Sequence, residues 1–248
     1  MVNKSFLVVL FVVLMASFHG GLGSKLPDGI KLCHRSDPEV ETCVKNSVEA
    51  LKPMLKEGLP ELNVPGIDPF KMEQIEIMDG TLLPELKASL VNLEVIGLGD
   101  FEITNLKMDL ENHVYDVGVK VPFLDIHGGY NVDGKLLSTT IQSTGTFNAN
   151  ATGLDGQALM KGALKDNHLK FESIDFKLKM EDFNLDLDNF LTEDPVLSHA
   201  AKQLLKTANK EDIIKMATPY IEKKCSDILL KLCNEIFENV DYDEIFPV

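Results

Sequence analysis

The feature that most constrains the fold is a long stretch, from Phe70 to Phe190, in which apolar residues recur at every second position. Between residues 115 and 121, for example, a tyrosine and three valines alternate with polar or small residues. A period of two is typical of β-strands with one buried face. The alternation slips by one residue within 101–110 and again within 169–180, which indicates β-bulges that bend the strands. The stretch therefore predicts about eight antiparallel strands, several of them long, in a strongly curved sheet.

The middle of this stretch contains residues suited to line an interior. Asp133-Gly134 is a hairpin signal between two predicted strands. Tyr130 has the inward phase in the strand before it, and Ile141 and Phe147 have the inward phase in the strand after it. We expect all three side chains to face the interior, where the Tyr130 hydroxyl can either pack or meet a ligand.

A helix is predicted on each side of the sheet region. The first runs from Asp37 to Glu57, with Gly58 as its stop. A second helical region begins at Asp194-Pro195 and continues almost to the end of the chain, with an apolar stripe about 40 Å long. The stripe contains Ala217, Ile221, Cys225, Ile228 and Leu232. A helix of that length needs a partner of matching length, and the concave side of the curved sheet is the candidate.

The segment GLPELNVPGIDPF, residues 58–70, joins the first helix to the first strand. Its three prolines and two glycines prevent a helix or a central strand, yet apolar residues recur between them. We expect an extended connector pressed onto the core. The elements together predict one α+β domain, a long C-terminal helix wrapped by a strongly curved antiparallel sheet. Periodicity alone leaves open whether side chains or a ligand fill the interior.

The first 23 residues have the pattern of a secretory signal peptide: Lys4, then an uncharged apolar run, then small residues before Ser24. The run is too short to span a membrane. We therefore expect residues 1–23 to be removed and residues 24–248 to form a single extracellular domain. A formal net charge of −15 argues against binding to nucleic acid or to anionic lipid surfaces, and it favours a soluble monomer without stable membrane insertion.

Four cysteines in a secreted chain indicate disulfide bonding. Cys33 and Cys43 flank the predicted start of the first helix, and we expect them to form a bond that ties the N-terminal arm to it. Cys225 and Cys233 are eight residues apart on a predicted helix, about 12 Å along its axis, which is too far for a disulfide. We expect these two to be small buried hydrophobic residues, with no metal bound.

Motifs for catalysis are absent from the sequence. Residues 129–136, GYNVDGKL, nearly match a phosphate-binding loop, but Leu136 replaces the hydroxyl residue and a strand follows instead of a helix. There is no GxSxG, no HExxH and no cluster of histidines. Asp182, Asp186 and Asp188 alternate with apolar residues and indicate a solvated strand face. We predict no enzyme activity, no catalytic residues, no metal site and no cofactor.

Asn150-Ala151-Thr152 is an N-glycosylation sequon, which we place in a predicted turn. Asn3-Lys4-Ser5 also matches but is expected to be removed with the signal peptide.

Four segments of the chain are similar to signatures of the insect takeout / juvenile hormone-binding protein (JHBP) family. They are LPDGIKLCHRSDPEVETC, GLPELNVPGIDPF, VPFLDIHGGYNVDGKLL and YDEIFP, and they span nearly the whole chain after residue 23. The chain resembles the takeout branch more closely, because no cysteine lies between Cys43 and Cys225 to form the second disulfide of the juvenile hormone carriers.

The resemblance implies a TULIP-like super-roll, a long helix wrapped in a curved sheet that encloses a hydrophobic tunnel. It further implies a secreted carrier of an elongated hydrophobic small molecule, either a terpenoid such as juvenile hormone or a fatty-acyl ligand, and a link to circadian rhythm. The candidate tunnel residues are Tyr130, Ile141, Phe147, Ile221, Cys225, Ile228 and Leu232. Two alternatives remain: an extracellular interaction or signalling protein with a filled core, whose receptor is unknown, and a lipid-acting hydrolase with a site assembled from distant residues.

Overall fold

The computed structural model of the chain describes residues 32–59, 64–79, 86–136, 139–188, 210–238 and 241–248. Two short strands, β1 (Gly58–Leu59) and β2 (Val64–Pro65), pair with each other. Seven strands then form one antiparallel sheet: β3 (Phe70–Asp79), β4 (Leu86–Ile96), β5 (Glu102–Asp109), β6 (Val114–Leu136), β7 (Thr139–Lys165), β8 (His168–Lys179) and β9 (Asp182–Leu187). The helices are α1 (Val40–Glu57), α2 (Lys210–Phe237) and α3 (Tyr242–Ile245), with one 3₁₀ turn at Leu98–Asp100.

Helix α1 begins three residues after its predicted start. The Asp37 carboxylate accepts a hydrogen bond from the backbone N–H of Glu39 at 2.8 Å, which stabilises a turn before the helix. The predicted apolar face is confirmed, since Val44, Val48, Leu51 and Leu55 are buried. The helix ends at Gly58, as expected, where φ is 96°.

Strands β6 and β7 form the centre of the sheet as a hairpin of 23 and 27 residues. The prediction of a turn at Asp133-Gly134 is wrong, because these residues pair with Gln142 and Ile141 and the ladder continues to Leu136 opposite Thr139. The additional cross-strand pairs outweigh the local turn preference.

The sheet has two halves that share β6 and β7. In the first half, β5 pairs with residues 114–120 of β6, and β8 pairs with residues 155–165 of β7. In the second half, β4 pairs with residues 125–134 of β6, β9 pairs with residues 147–152 of β7, and β3 pairs with β4. The two predicted bulges are confirmed by register shifts, one at Ile103 to Asn105 of β5 and one opposite β8 at Lys161 to Gly162 of β7.

Both central strands change phase at the boundary between the halves. Val121 and Leu124 are both on the buried side of β6, so two successive residues, Pro122 and Phe123, face outward. Opposite them, Gly153 of β7 adopts a left-handed conformation with φ of 60°. The pairing register is the same before and after this point, because both strands shift together. In β6 the buried side chains are at odd-numbered positions before the kink and at even-numbered positions after it. Phe123, at the kink, is 45% exposed.

Helix α2 has 28 residues, about 42 Å of helix, and confirms the predicted length. It contacts mainly β8 and, more lightly, β3, the two strands at opposite ends of the sheet order. Because one helix reaches both edges, the sheet is curled around it rather than flat. Among the described residues, no helix is both long and apolar enough to cross a membrane. The predicted helical start at Asp194-Pro195 lies outside the described residues.

The main core lies mostly on the first half of the sheet, between α1 and the C-terminal half of α2, and it extends onto the second half through Phe70, Met72, Val95 and Leu124. Leu229, Leu232, Cys233 and Phe237 of α2 are buried in it. Ile221 is on the same side of the helix as Leu232 but three turns earlier. It is 36% exposed, and the described residues of the main core do not extend to it, so its role as a tunnel residue stays a prediction.

The cysteines have the predicted states. Cys33 and Cys43 form a disulfide with a Cα to Cα distance of 5.8 Å. Cys225 and Cys233 are both free; Cys225 is half-buried and Cys233 is fully buried in the main core. Burial raises the pKa of the Cys225 thiol to about 12 and also raises the pKa of Cys233, so both thiols are protonated at neutral pH.

Candidate functional site

The second half of the sheet has one face that is almost purely apolar, which we call the second apolar face. The cross-strand register assigns to it residues Ala88 and Leu90 of β4, the even positions 124–132 of β6, the odd positions 143–151 of β7, and Phe183, Leu185 and Leu187 of β9. None of these described residues is charged. The intervening positions, such as Asp125, Asn148 and Asp186, are polar and form the outer face.

The second apolar face adjoins the main core at Leu124, which belongs to that core, and extends beyond it. Tyr130, Phe147 and Ala151 are buried, yet they do not belong to the main cluster of core residues. Toward the β9 edge the cover is thinner, since Leu185 is 36% exposed. The second apolar face therefore contains buried residues that lie outside the main core.

Two aromatic rings lie on this face over glycines of the neighbouring strand. Tyr130 pairs with Gly145, and Phe147 pairs with Gly128. A Cβ atom on Gly145 would lie 2.9 Å from the Tyr130 ring, and one on Gly128 would lie 3.0 Å from the Phe147 ring. The missing side chains allow both rings to lie close to the backbone of the neighbouring strand.

The Tyr130 hydroxyl is used within the protein. It donates a hydrogen bond to the backbone carbonyl of Asp188 and lies 3.4 Å from the Ser143 Oγ atom. Ser143 is the buried polar residue of this face. Packing and ligand contact are both compatible with the position of Tyr130 in the sequence, and the geometry supports a structural role for its hydroxyl.

The predicted tunnel residues fall into separate groups. Tyr130 and Phe147 are together on the second apolar face, and Ile141 occupies a β7 position paired with Gly134, although its side chain lies outside the described residues. Leu232 is buried in the main core, with Cys225 and Ile228 packed partly against it. Three residues of the predicted helix stripe therefore pack in or against the main core, and their role as tunnel residues stays a prediction.

A cleft of about 460 Å³ opens on the outer face at the kink between the halves. Its lining includes Glu102, Lys120, Asp155 and Lys179, which are in register across four neighbouring strands and alternate in charge. A cleft with such a charged lining suits polar contacts, and it is not the apolar site that the sequence predicts.

The first and last signature segments meet in space at the end of the first half. The backbone N–H of Arg35 donates to the carbonyl of Pro247 at 2.9 Å, and the Arg35 guanidinium pairs with Asp243 and lies 5.5 Å from the Tyr242 ring centroid. The backbone N–H of Tyr242 donates to the carbonyl of Asn167 at 2.7 Å. The N-terminal arm, the C-terminal tail and the β7 to β8 turn therefore close this end around the buried Tyr242.

Three polar residues of α2, which were not predicted as functional from the sequence, hold the helix on the sheet. Glu222, Ser226 and Asn234 bind backbone groups of β8 through their side chains. Their spacing of four and eight residues along an otherwise apolar helix was the available signal. No group of three metal-ligating side chains occurs within the part of the chain that the structure describes.

The sequon at Asn150 lies within β7, not in a turn as predicted, because β7 continues through it in register with β6 and β9. Asp182 and Asp186 lie on the outer face, as expected for a solvated strand face, and Asp188 accepts a hydrogen bond from the Thr146 hydroxyl.

Comparison with known proteins gives one matching family, described as "Haemolymph juvenile hormone binding protein (JHBP)", over residues 7–247. The chain is 20% identical over 225 residues to a putative beta-carotene-binding protein of Schistocerca gregaria, covering 88% of each chain. It is 22% identical over 240 residues to the circadian clock-controlled protein daywake of Drosophila melanogaster, covering 89% of this chain and 88% of the relative. The crystal structure of Epiphyas postvittana Takeout 1 matches with a TM-score of 0.66 at 19% identity, covering 88% of this chain and 99% of that one.

Proposed function

The chain belongs to the haemolymph juvenile hormone binding protein (JHBP) family, and from this membership we propose that it is a secreted carrier of an elongated hydrophobic small molecule. The second apolar face is the proposed binding surface. The observation that carries the proposal is the segregation of this face, which has no charged residue among its described positions and contains buried aromatic rings outside the main core. A terpenoid or a fatty-acyl chain has the matching shape and chemistry.

Affinity for such a ligand would come from buried apolar area, about 25 cal/mol per Å² before the costs of association. Polar groups would contribute orientation only. The name of the Schistocerca relative gives beta-carotene, a long apolar polyene, as its ligand. That ligand belongs to the same chemical class and supports the proposal without identifying the ligand of this chain.

The proposal includes export and the absence of catalysis. We expect residues 1–23 to be cleaved, which leaves residues 24–248 as the mature carrier. The family description names binding and no reaction. The described residues contain no metal-binding cluster, and the proposed face offers no charged group for acid–base chemistry.

Binding can be tested with a fluorescent fatty-acid probe and a matched pair of tryptophan variants. The chain has no tryptophan, so each introduced residue reports on its own surroundings. Ala149→Trp adds bulk on the second apolar face, and Thr144→Trp adds the same bulk on the outer face of the same strand. We expect Ala149→Trp to reduce probe affinity at least tenfold and Thr144→Trp to leave it unchanged.

The result that would overturn the carrier is the absence of probe binding by the wild-type protein, together with no lipid in solvent extracts of protein purified from culture medium. Strong destabilisation of Ala149→Trp without any probe binding by the wild type would indicate a filled core. That outcome would favour the extracellular interaction protein.

A further inference from the structure

The sequon residue Asn150 belongs to a chain of polar contacts that reaches helix α2. The Asn184 side chain of β9 donates from Nδ2 to the Asn150 Oδ1 atom at 3.0 Å. Lys210, the first residue of α2, donates from Nζ to Asn184 Oδ1 at 3.0 Å and to both carboxylate oxygens of Asp182 at 2.9 and 3.1 Å. Asn150 therefore lies at the end of a network in which only its carbonyl oxygen takes part.

The geometry points to Asn150 as an N-glycosylation site on the folded, secreted protein, and we propose that its Nδ2 atom carries an oligosaccharide. The inference relies on the export that forms part of the proposed function. In the modification, Nδ2 bonds to the anomeric carbon of an oligosaccharide held on a polyprenyl pyrophosphate. The bond from that carbon to the phosphate oxygen breaks, Nδ2 loses one proton, and the lipid pyrophosphate leaves.

The native contacts of Asn150 are compatible with this modification. No described residue accepts a hydrogen bond from its Nδ2 atom, and the side chain is half-exposed. Glycosylation leaves Oδ1 an amide carbonyl oxygen, so the hydrogen bond from Asn184 can persist. The first sugar would therefore add to the outer face without breaking the network that holds the start of α2.

The four nearest neighbours of Asn150 on the outer face of the sheet are all polar. Across the strands lie Asp125 on β6 and Asn184 on β9, and along β7 lie Asn148 and Thr152. Thr152, the hydroxyl residue of the sequon, is on the same face two positions along the strand. The glycan would thus lie on the outer face, opposite the second apolar face, where it would not obstruct a ligand.

The glycan would also protect an exposed sheet edge. In the described part of the sheet, β9 pairs on one side only, with β7. An unpaired strand edge is a site for pairing with another chain. A glycan on Asn150, one strand in from β9, would block the approach of a second strand to this edge.

The test uses the full chain, including residues 1–23, expressed in insect cells with protein taken from both medium and cells. Intact masses are measured before and after peptide N-glycosidase F, which removes the glycan and converts the carrying asparagine to aspartate. We expect one N-linked glycan, mapped by peptide analysis to Asn150, to be lost in Thr152→Ala and retained in Thr152→Ser.

Unmodified Asn150 in both fractions would overturn the proposal. Glycosylated protein that stays in the cells would support the site while contradicting export of the carrier, so the two conclusions fail separately. On mild heating, Thr152→Ala should aggregate faster than Thr152→Ser at equal probe affinity. Equal aggregation rates would overturn the protective role at the β9 edge.

Discussion

The side chain of Asn234 on helix α2 forms hydrogen bonds with both the backbone N–H and the backbone carbonyl of Phe171 on strand β8. The Phe171 N–H donates to Asn234 Oδ1 at 2.7 Å, and Asn234 Nδ2 donates to the Phe171 carbonyl at 2.9 Å. Ser226 accepts from the Phe176 N–H at 3.0 Å, and Glu222 accepts from the Leu178 N–H at 3.0 Å. Helix α2 thus satisfies the backbone of an edge strand and takes the place of the next strand in the sheet.

Replacing Asn234 by leucine should destabilise the protein by about 2–6 kcal/mol, because two part-buried backbone groups lose their partner at about 1–3 kcal/mol each. The free energy of unfolding from urea titration measures this loss. Lys231→Ala, on an exposed position of the same helix, is the control and should change stability by less than about 0.5 kcal/mol. An Asn234→Leu protein as stable as the wild type would show that the side-chain bonds to β8 do not hold the helix.

The contacts of α2 also explain how far the sequence could predict this helix. Its length and amphipathic character follow from the spacing of apolar residues, and these were confirmed. The buried set is centred on Leu229 and Cys233, whereas Ile221 is exposed. Which part of a broad apolar stripe is covered depends on where the sheet edge binds Glu222 and Asn234. The position of the sheet edge on the helix is set by contacts between segments that are distant in sequence, so it cannot be predicted from the local spacing of apolar residues.

For the sheet, too, local features could be predicted from the sequence and the pairing between strands could not. Alternation identified the strands and their bulges, because each depends on the local period of apolar residues. The shared kink at Pro122 and Gly153 and the hairpin beyond Asp133-Gly134 depend on the register between two strands. The same register places Tyr130 over Gly145. The sequence shows the glycines of the candidate site, but it does not show which aromatic ring packs on each of them.

Removal of the disulfide should cost about 2–3 kcal/mol, since Cys33 and Cys43 close a loop with a sequence separation of 10. The Cys33→Ala, Cys43→Ala double variant and the wild type would be compared by urea unfolding without reductant. Addition of dithiothreitol should lower the stability of the wild type toward that of the variant and leave the variant unchanged. A reductant effect of equal size on both proteins would contradict the assignment.

Acidification should destabilise the protein through His113. Burial lowers the pKa of this imidazole from 6.5, and the nearby Asp109 only partly opposes the shift. The neutral ring is therefore favoured in the folded state, so its contribution to stability is present above pH 6.5 and is lost as pH falls through the folded pKa. We expect the fall in unfolding free energy below pH 6.5 to be smaller in His113→Asn.

Asparagine is chosen because His113 has φ of 53°, a left-handed conformation that asparagine tolerates. It also keeps polar character near the edge of the Tyr242 ring, 5.2 Å away between centroids. A pH profile of stability that is identical in wild type and His113→Asn would rule out a contribution from this residue.

The free thiol of Cys225 should resist alkylation by iodoacetamide in the native protein at pH 8, because its pKa is about 12 and the thiolate is the reactive form. Urea unfolding should make both Cys225 and Cys233 reactive, as counted by mass spectrometry. Since the raised pKa favours the protonated thiol in the folded state, stability should decline as pH rises above the unfolded value near 9. Rapid native labelling of Cys225 would contradict its burial against the core.

Two roles of Tyr130 on the second apolar face, hydrogen bonding and packing, can be separated by substitution. Tyr130→Phe removes the hydroxyl that donates to the Asp188 carbonyl, so stability should fall by about 1 kcal/mol while affinity for an apolar probe stays the same. Gly145→Ala places a Cβ atom 2.3 Å from the Asp188 carbonyl oxygen and 2.9 Å from the Tyr130 ring. The ring must then rise from the sheet into the space proposed for the ligand, which should cost about 1–3 kcal/mol of stability and also weaken probe binding. Thr144→Ala, the neighbouring residue on the outer face, should change neither quantity. Loss of probe affinity in Tyr130→Phe would instead mean that the hydroxyl contacts the ligand, and the structural role assigned to it would be wrong.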